Sequence, residues 1–261
     1  MRRKLIELIQ DKPLNKDFEL ALQQGIVRYN NRGGQRIPSP YYTPSSLVCQ
    51  RQMYYRRSGV QQEEDTADYN SIEMAETGTA RHEAIQRVLL YMSTLKDSDW
   101  EYVDVGEYVK RRNLPLEVLE QHGAETHLRD NVNHLSFMVD GLLYHRTTGE
   151  YVLFEFKNVI SFKWSKVQKT KKVLPDHHNQ VITYCKVLGL NKAFVVYENR
   201  DTCALLVPET FEVTEQMKDE LFYHINETES YFEADKIPPM YNGNLDPCKY
   251  CRYKKRCWED R

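Results

Sequence analysis

Three residues within positions 137–157, FMVDGLLYHRTTGEYVLFEFK, have the types and spacing of a phosphate-handling site: Asp140, Glu155 and Lys157. The stretch predicts two short strands joined by a tight turn at 147–150. Asp140 ends the apolar run of the first strand, and Leu153, Glu155 and Lys157 share one face of the second. A carboxylate and an ammonium on a strand otherwise built of Val, Leu and Phe are costly if merely buried. Beside a divalent cation they have work to do. Asp140 and Glu155 are hard oxygen ligands suited to Mg2+ or Mn2+, and the backbone carbonyl of Phe156 lies between Glu155 and Lys157 in the chain. Lys157, while protonated, cannot be a ligand; it can orient a water and offset developing negative charge. These are the requirements of phosphodiester hydrolysis, which needs an activated water and charge neutralisation at phosphorus.

The other elements must serve that centre. GTARHEAIQRVLLYMSTL predicts a helix with Ala80, Ala84, Val88 and Tyr91, flanked by Ile85 and Leu89, as its apolar face. His82 falls on its first turn and completes a metal shell if that helix packs against the hairpin; a nitrogen ligand favours Mn2+. Downstream, DHHNQVITYCKVLGL predicts a second helix on which Gln180 and Tyr184, four apart, project together. Between them, residues 161–172 hold five lysines, Lys163, Lys166, Lys169, Lys171 and Lys172, with no acid. That segment is expected to be a phosphate-contacting flap. Residues 45–57 predict a short helix carrying Cys49, with Arg51 and Arg56 as candidate backbone contacts.

The remaining pattern predicts a helix over 1–30, an exposed acidic stretch at 61–76, strands at 102–109, 116–118, 193–197 and 203–207, and a helix over 211–235. Residues 121–134 are expected to be mostly loop, and none of His122, His127 and His134 falls at a spacing that demands a metal.

Four of the six cysteines form a second constellation. Cys248, Cys251 and Cys257 crowd the last fourteen residues, among Lys254 and other basic side chains, and Cys49 can supply a fourth thiolate. Four thiolates suit tetrahedral zinc or a cubane iron–sulfur cluster, and spacing does not separate the two. Cys185 and Cys203 read as small buried hydrophobes.

The motifs GTARHEAIQ, FMVDG, FEFK and NQVITY, in that order, resemble those of the PD-(D/E)XK nuclease superfamily, and within it the RecB/AddB-like branch that includes the CRISPR-associated iron–sulfur exonucleases and related stand-alone phage or bacterial nucleases. The resemblance spans roughly residues 43–258. It departs from the pattern where Val139, not proline, precedes Asp140. It implies a mixed α/β, restriction-endonuclease-like fold, a central mixed sheet flanked by helices. It assigns His82, Asp140, Glu155 and the Phe156 carbonyl to metal binding, Lys157 to catalysis, and Gln180 with Tyr184 to support near the substrate phosphate. It also favours a 4Fe-4S cluster over zinc on Cys49, Cys248, Cys251 and Cys257, stapling residues 43–60 to 241–261 around a catalytic core at 72–207 within one nuclease domain over 1–261. The implied activity is a metal-dependent DNA exonuclease acting on single strands or ends in recombination, repair or phage DNA processing. A structure- or site-specific endonuclease and a non-enzymatic DNA-binding or assembly module stand as alternatives. Such a chain is expected to act alone, to assemble as a homo-oligomer or to borrow a helicase or recombination partner.

Composition sets wide limits. The 261 residues suffice for one sizeable core, and the 41% hydrophobic and 28% charged content is that of an ordinary globular protein. A net charge of -2 neither advertises nor forbids a nucleic-acid partner, because distribution matters more than the sum. No apolar run reaches the length of a membrane span and the N-terminus lacks a secretory apolar core, so the expected location is the cytoplasm, that of the host if the chain is phage-encoded.

Overall fold

The computed structural model describes residues 13–33, 39–63, 68–243, 247–249 and 251–261. They fall into two compact units: Met1–Ile37 with Glu64–Thr77, and Pro38–Glu63 with Gly78–Arg261. The first twelve residues of the expected N-terminal helix lie outside the described residues. The smaller unit contains helix α1 (Leu14–Asn30), none of whose residues is buried. Helix α2 (Gln50–Arg57) belongs to the larger unit, and α3 (Tyr69–Met92) runs from the smaller unit into the larger.

The larger unit is a mixed α/β fold. Its main sheet runs β1 (Trp100–Val103), β5 (Gly141–His145), β6 (Glu150–Val159), β7 (Lys192–Asn199), β8 (Leu205–Leu206), and β9 (Phe211–Glu212) also pairs with β7. β5 and β6 form an antiparallel hairpin, whereas β6 and β7 are parallel. A parallel pair needs a long crossover, supplied here by α5 (Ser161–Thr170) and α6 (His178–Leu188). Helices cover both faces. Leu142, Leu153, Ala193, Val195 and Tyr197 pack in one core with Val181, Ile182, Cys185 and Leu188 of α6, joined by Leu221 and Ile225 of α7 (Glu215–Glu233). On the opposite face Leu143, Phe154 and Phe156 pack with Ile85, Leu89 and Met92 of α3. The inward stripe of α3 is therefore His82, Ile85, Leu89 and Met92, at helical spacing. Val88 and Tyr91, expected inside, are 51% and 63% exposed.

A second, antiparallel sheet comprises β2 (Glu117–His122), β3 (Glu125–Asp130) and β4 (Leu135–Val139). This corrects the loop expected at 121–134. Ala124, Thr126, Leu128 and Asp130 alternate inward, and Gly123 turns the hairpin at φ 61°. The expected hairpin of 137–157 is likewise split. β4 belongs to the small sheet and β5 to the large one, so Asp140 is the single residue at which the chain passes between them. Gly141 opens β5 close to both layers: a Cβ there would lie in van der Waals contact with Leu89 Cδ1 at 3.4 Å and Phe154 Cδ1 at 3.6 Å.

Other boundaries also move. The strand expected at 102–109 is β1 followed by helix α4 (Val105–Arg111), because Asp104 caps it by accepting the Glu107 N–H at 2.8 Å. The lysine-rich flap is helix α5. The helix expected over 211–235 begins only after β9, where Thr214 accepts the Met217 N–H at 3.2 Å.

Candidate active site

Glu155 and Lys157 project from β6 toward α6, and strand geometry places them there together. Glu155 is 1% exposed. Its Oε1 accepts from Lys157 Nζ at 2.6 Å and from Gln180 Nε2 at 2.7 Å. The same Gln180 amide accepts from Lys157 through its oxygen at 2.8 Å and donates to the Tyr184 hydroxyl at 2.9 Å. One side-chain amide thus fixes a carboxylate, an ammonium and a phenol. Tyr184 is itself fixed by stacking on Phe137, with ring centroids 5.1 Å apart. Glu155 Oε2 is buried with no hydrogen-bond partner.

Asp140 approaches from the edge. Its Oδ2 accepts the Phe156 N–H at 2.8 Å, and its Oδ1 lies 3.3 Å from His82 Nδ1. In an extended strand a residue's N–H and C=O point to the same edge, so the Phe156 carbonyl faces the Asp140 side, just past the end of the β5 ladder. His82 arrives from α3 and meets the Phe156 ring edge-on at 5.1 Å. The preceding residue anchors that helix: Arg81 grips the buried Glu198 of β7 with two bonds, 2.8 and 2.7 Å.

The electrostatics follow from burial and mutual charge. Burial, then the charge of Asp140, raises the Glu155 pKa against the pull of Lys157. For Lys157, desolvation opposes the charged form, but Glu155 offsets it and the pKa ends raised. His82 behaves likewise, with burial opposing and Asp140 favouring its protonated form, and a raised pKa results.

Sequence reading gives no role to Glu125, yet the structure sets it within electrostatic reach of Asp140 and His82. Burial and then Asp140 raise its pKa. Gln86, one turn beyond His82, donates to it at 3.4 Å. That i, i+4 relation is the signal that was available.

The cysteine constellation lies elsewhere in the larger unit. Cys49, Cys248, Cys251 and Cys257 line one largely apolar cavity together with Met240 and Trp258. Burial pushes the Cys251 thiol up to about 11 and also raises Cys49, and neighbouring thiols add to both. The two chain segments are joined here through Arg51, which donates to the carbonyls of Pro238 at 2.8 Å and Cys257 at 3.0 Å, and through Tyr55, which donates to Asp260 at 2.8 Å. Arg51, expected to contact DNA, is instead 7% exposed and turned into the protein. Arg56 donates to Thr43 Oγ1 at 3.0 Å, and Lys163 pairs with Asp176 at 2.9 Å. Lys166, Lys169, Lys171, Lys172 and Lys254 are exposed.

Among the described residues no group of three or more His, Cys, Asp or Glu side chains is drawn together as a site able to hold a metal ion. At the acidic centre the protein's own donors take those positions: Lys157 and Gln180 at Glu155, His82 and the Phe156 N–H at Asp140. The donor chemistry still fits a hard divalent ion, since the buried Glu155 Oε2 has no donor of its own.

Fold and site together define a mixed α/β protein whose central sheet carries a buried acid–lysine centre, flanked by helices on both faces. No family model matches the chain, and comparison with curated proteins gives no match. Similar solved structures include an alkaline exonuclease (LHK-Exo) from Laribacter hongkongensis, 14% identical over 76% of this chain and 90% of that one, with a TM-score of 0.46. LHK-Exo in complex with dAMP gives 13% identity over the same shares, 76% and 90%, and a TM-score of 0.46. SSO0001 gives 15% identity over 92% of this chain and 95% of that one, with a TM-score of 0.43. No helix among the described residues is long and apolar enough to cross a membrane.

Proposed function

We propose that the protein is a divalent-metal-dependent deoxyribonuclease of the PD-(D/E)XK type, acting as an exonuclease on single-stranded DNA or DNA ends. The observation that carries this reading is Glu155: fully buried, bonded through one oxygen to Lys157 and Gln180, and left without a donor at the other. Such an arrangement costs stability unless a cation or a proton meets that oxygen. Asp140, Glu155, His82 and the Phe156 carbonyl would hold Mg2+ or Mn2+. The ion would supply charge neutralisation at phosphorus and a water of lowered pKa. Lys157, fixed by Gln180, would orient that water and balance negative charge on the phosphate; Tyr184 holds Gln180 in turn.

The cysteine cavity supports a 4Fe-4S cluster as a structural staple. Four cysteines lining one cavity supply the thiolates that such a cluster needs, and the same donor set would serve a zinc ion. A cytoplasmic location and a recombination or helicase partner fit this reading.

The test is cleavage of matched linear and circular single-stranded DNA by anaerobically purified protein with Mn2+, beside Lys157→Ala. Loss of the linear form alone, abolished in the variant, is expected. Cutting of both forms would move the activity to an endonuclease, and no cutting of either by protein with an intact cluster would overturn the enzyme reading.

A further inference from the structure

α5 leaves the catalytic strand directly: β6 ends at Val159, Ile160 occupies the N-cap position, and Phe162 lies on the first turn of the helix. Phe162 is 80% exposed and Ile160 45%. Two residues on, Trp164 packs against the main core, and its indole nitrogen is buried. Phe162, Lys166 and Lys169 stand at i, i+4 and i+7, so they form one stripe about 10 Å long on the outer face of the helix. No acid falls between positions 161 and 172. The start of this helix is braced on two sides: Asp201 accepts from the Ser161 N–H at 3.2 Å and from its hydroxyl, and Lys163 pairs with Asp176 just ahead of α6. Phe162 lies five positions beyond Lys157, at most about 17 Å of chain.

An aromatic face held outward in line with two cations suits a polyanion that also carries flat π faces. The geometry points to Phe162 as the stacking platform for an unpaired nucleobase of the substrate strand, with Lys166 and Lys169 contacting its phosphates. This rests on the nuclease reading and deepens it. The platform makes unpaired bases, rather than a duplex, the preferred form entering the site.

The test is fluorescence anisotropy of the full-length protein in EDTA, with labelled oligothymidylate and with an abasic strand of equal length. Phe162→Ala is expected to weaken oligothymidylate binding roughly tenfold, with Phe162→Trp restoring it and abasic binding unchanged. Replacing Lys166 and Lys169 by alanine is expected to weaken both strands and to lower the salt slope by about 0.7 per lysine. Equal weakening of both strands by Phe162→Ala, or none, overturns the proposal. A wild-type protein that cleaves in the Lys157 experiment but binds both strands alike keeps the nuclease reading and loses this one. A protein that binds neither strand in EDTA also loses this proposal, while the nuclease reading stands or falls on the cleavage experiment.

Discussion

Lys157→Met keeps most of the length of the side chain and removes its charge, and the structure sets the expected cost. Lys157 makes the one salt bridge to Glu155 among the described residues, at 2.6 Å, and Glu155 is 1% exposed. Breaking a buried pair by removing one partner costs about 3–5 kcal/mol, because the remaining charge is left uncompensated. The lysine side chain is 19% exposed, so the lower end applies, about 3 kcal/mol. The deficit should be largest at alkaline pH and shrink as pH falls, since the Glu155 carboxyl, already raised, takes a proton instead. Mn2+ should restore stability by a second route: an ion at a hundred times its dissociation constant contributes about 2.7 kcal/mol to the folded state. Urea unfolding followed by tryptophan fluorescence, in EDTA and then in Mn2+, measures both effects. A variant that unfolds with wild-type Glu155 stability in EDTA, and gains nothing from Mn2+, would show that Glu155 is neither held by Lys157 nor open to a cation.

Two further outcomes follow from groups away from the centre. Arg51→Ala should destabilise the fold by about 2 kcal/mol, through loss of charged hydrogen bonds to Pro238 and Cys257, while leaving the salt slope of DNA binding unchanged; a reduced slope with normal urea stability would return Arg51 to the DNA interface. His177 is held neutral: burial, then Lys157 and Lys163, lower its pKa to about 3, and its ring is bonded to the Tyr197 hydroxyl at 2.8 Å. Below about pH 6.5 the unfolded chain binds a proton there that the folded chain refuses, so stability falls as pH drops toward about 3. His177→Gln should flatten the urea midpoint between those limits, and an unchanged acid limb would remove His177 as its source.

The sequence by itself determined which residues of the acid–lysine centre share a face and that they ride on a strand and a helix. Glu-x-Lys on an apolar strand has only one way to share a face, because the strand period is two. Gln180 and Tyr184 follow from a helical i, i+4 relation in the same way. What it did not determine was how these elements cover one another. Tertiary structure alone placed Asp140 at the passage between two sheets, brought Glu125 toward it, and turned Arg51 inward. Nor did local pattern mark the 121–134 segment as a hairpin, since its alternation is carried by Thr126 and Asp130 as well as Leu128, and polar residues read as loop until a second layer buries them. The same holds for α5, where Trp164 is half-buried against the core and Phe162 is exposed. Periodicity is written in a few neighbouring residues, whereas burial is a property of whatever packs on top.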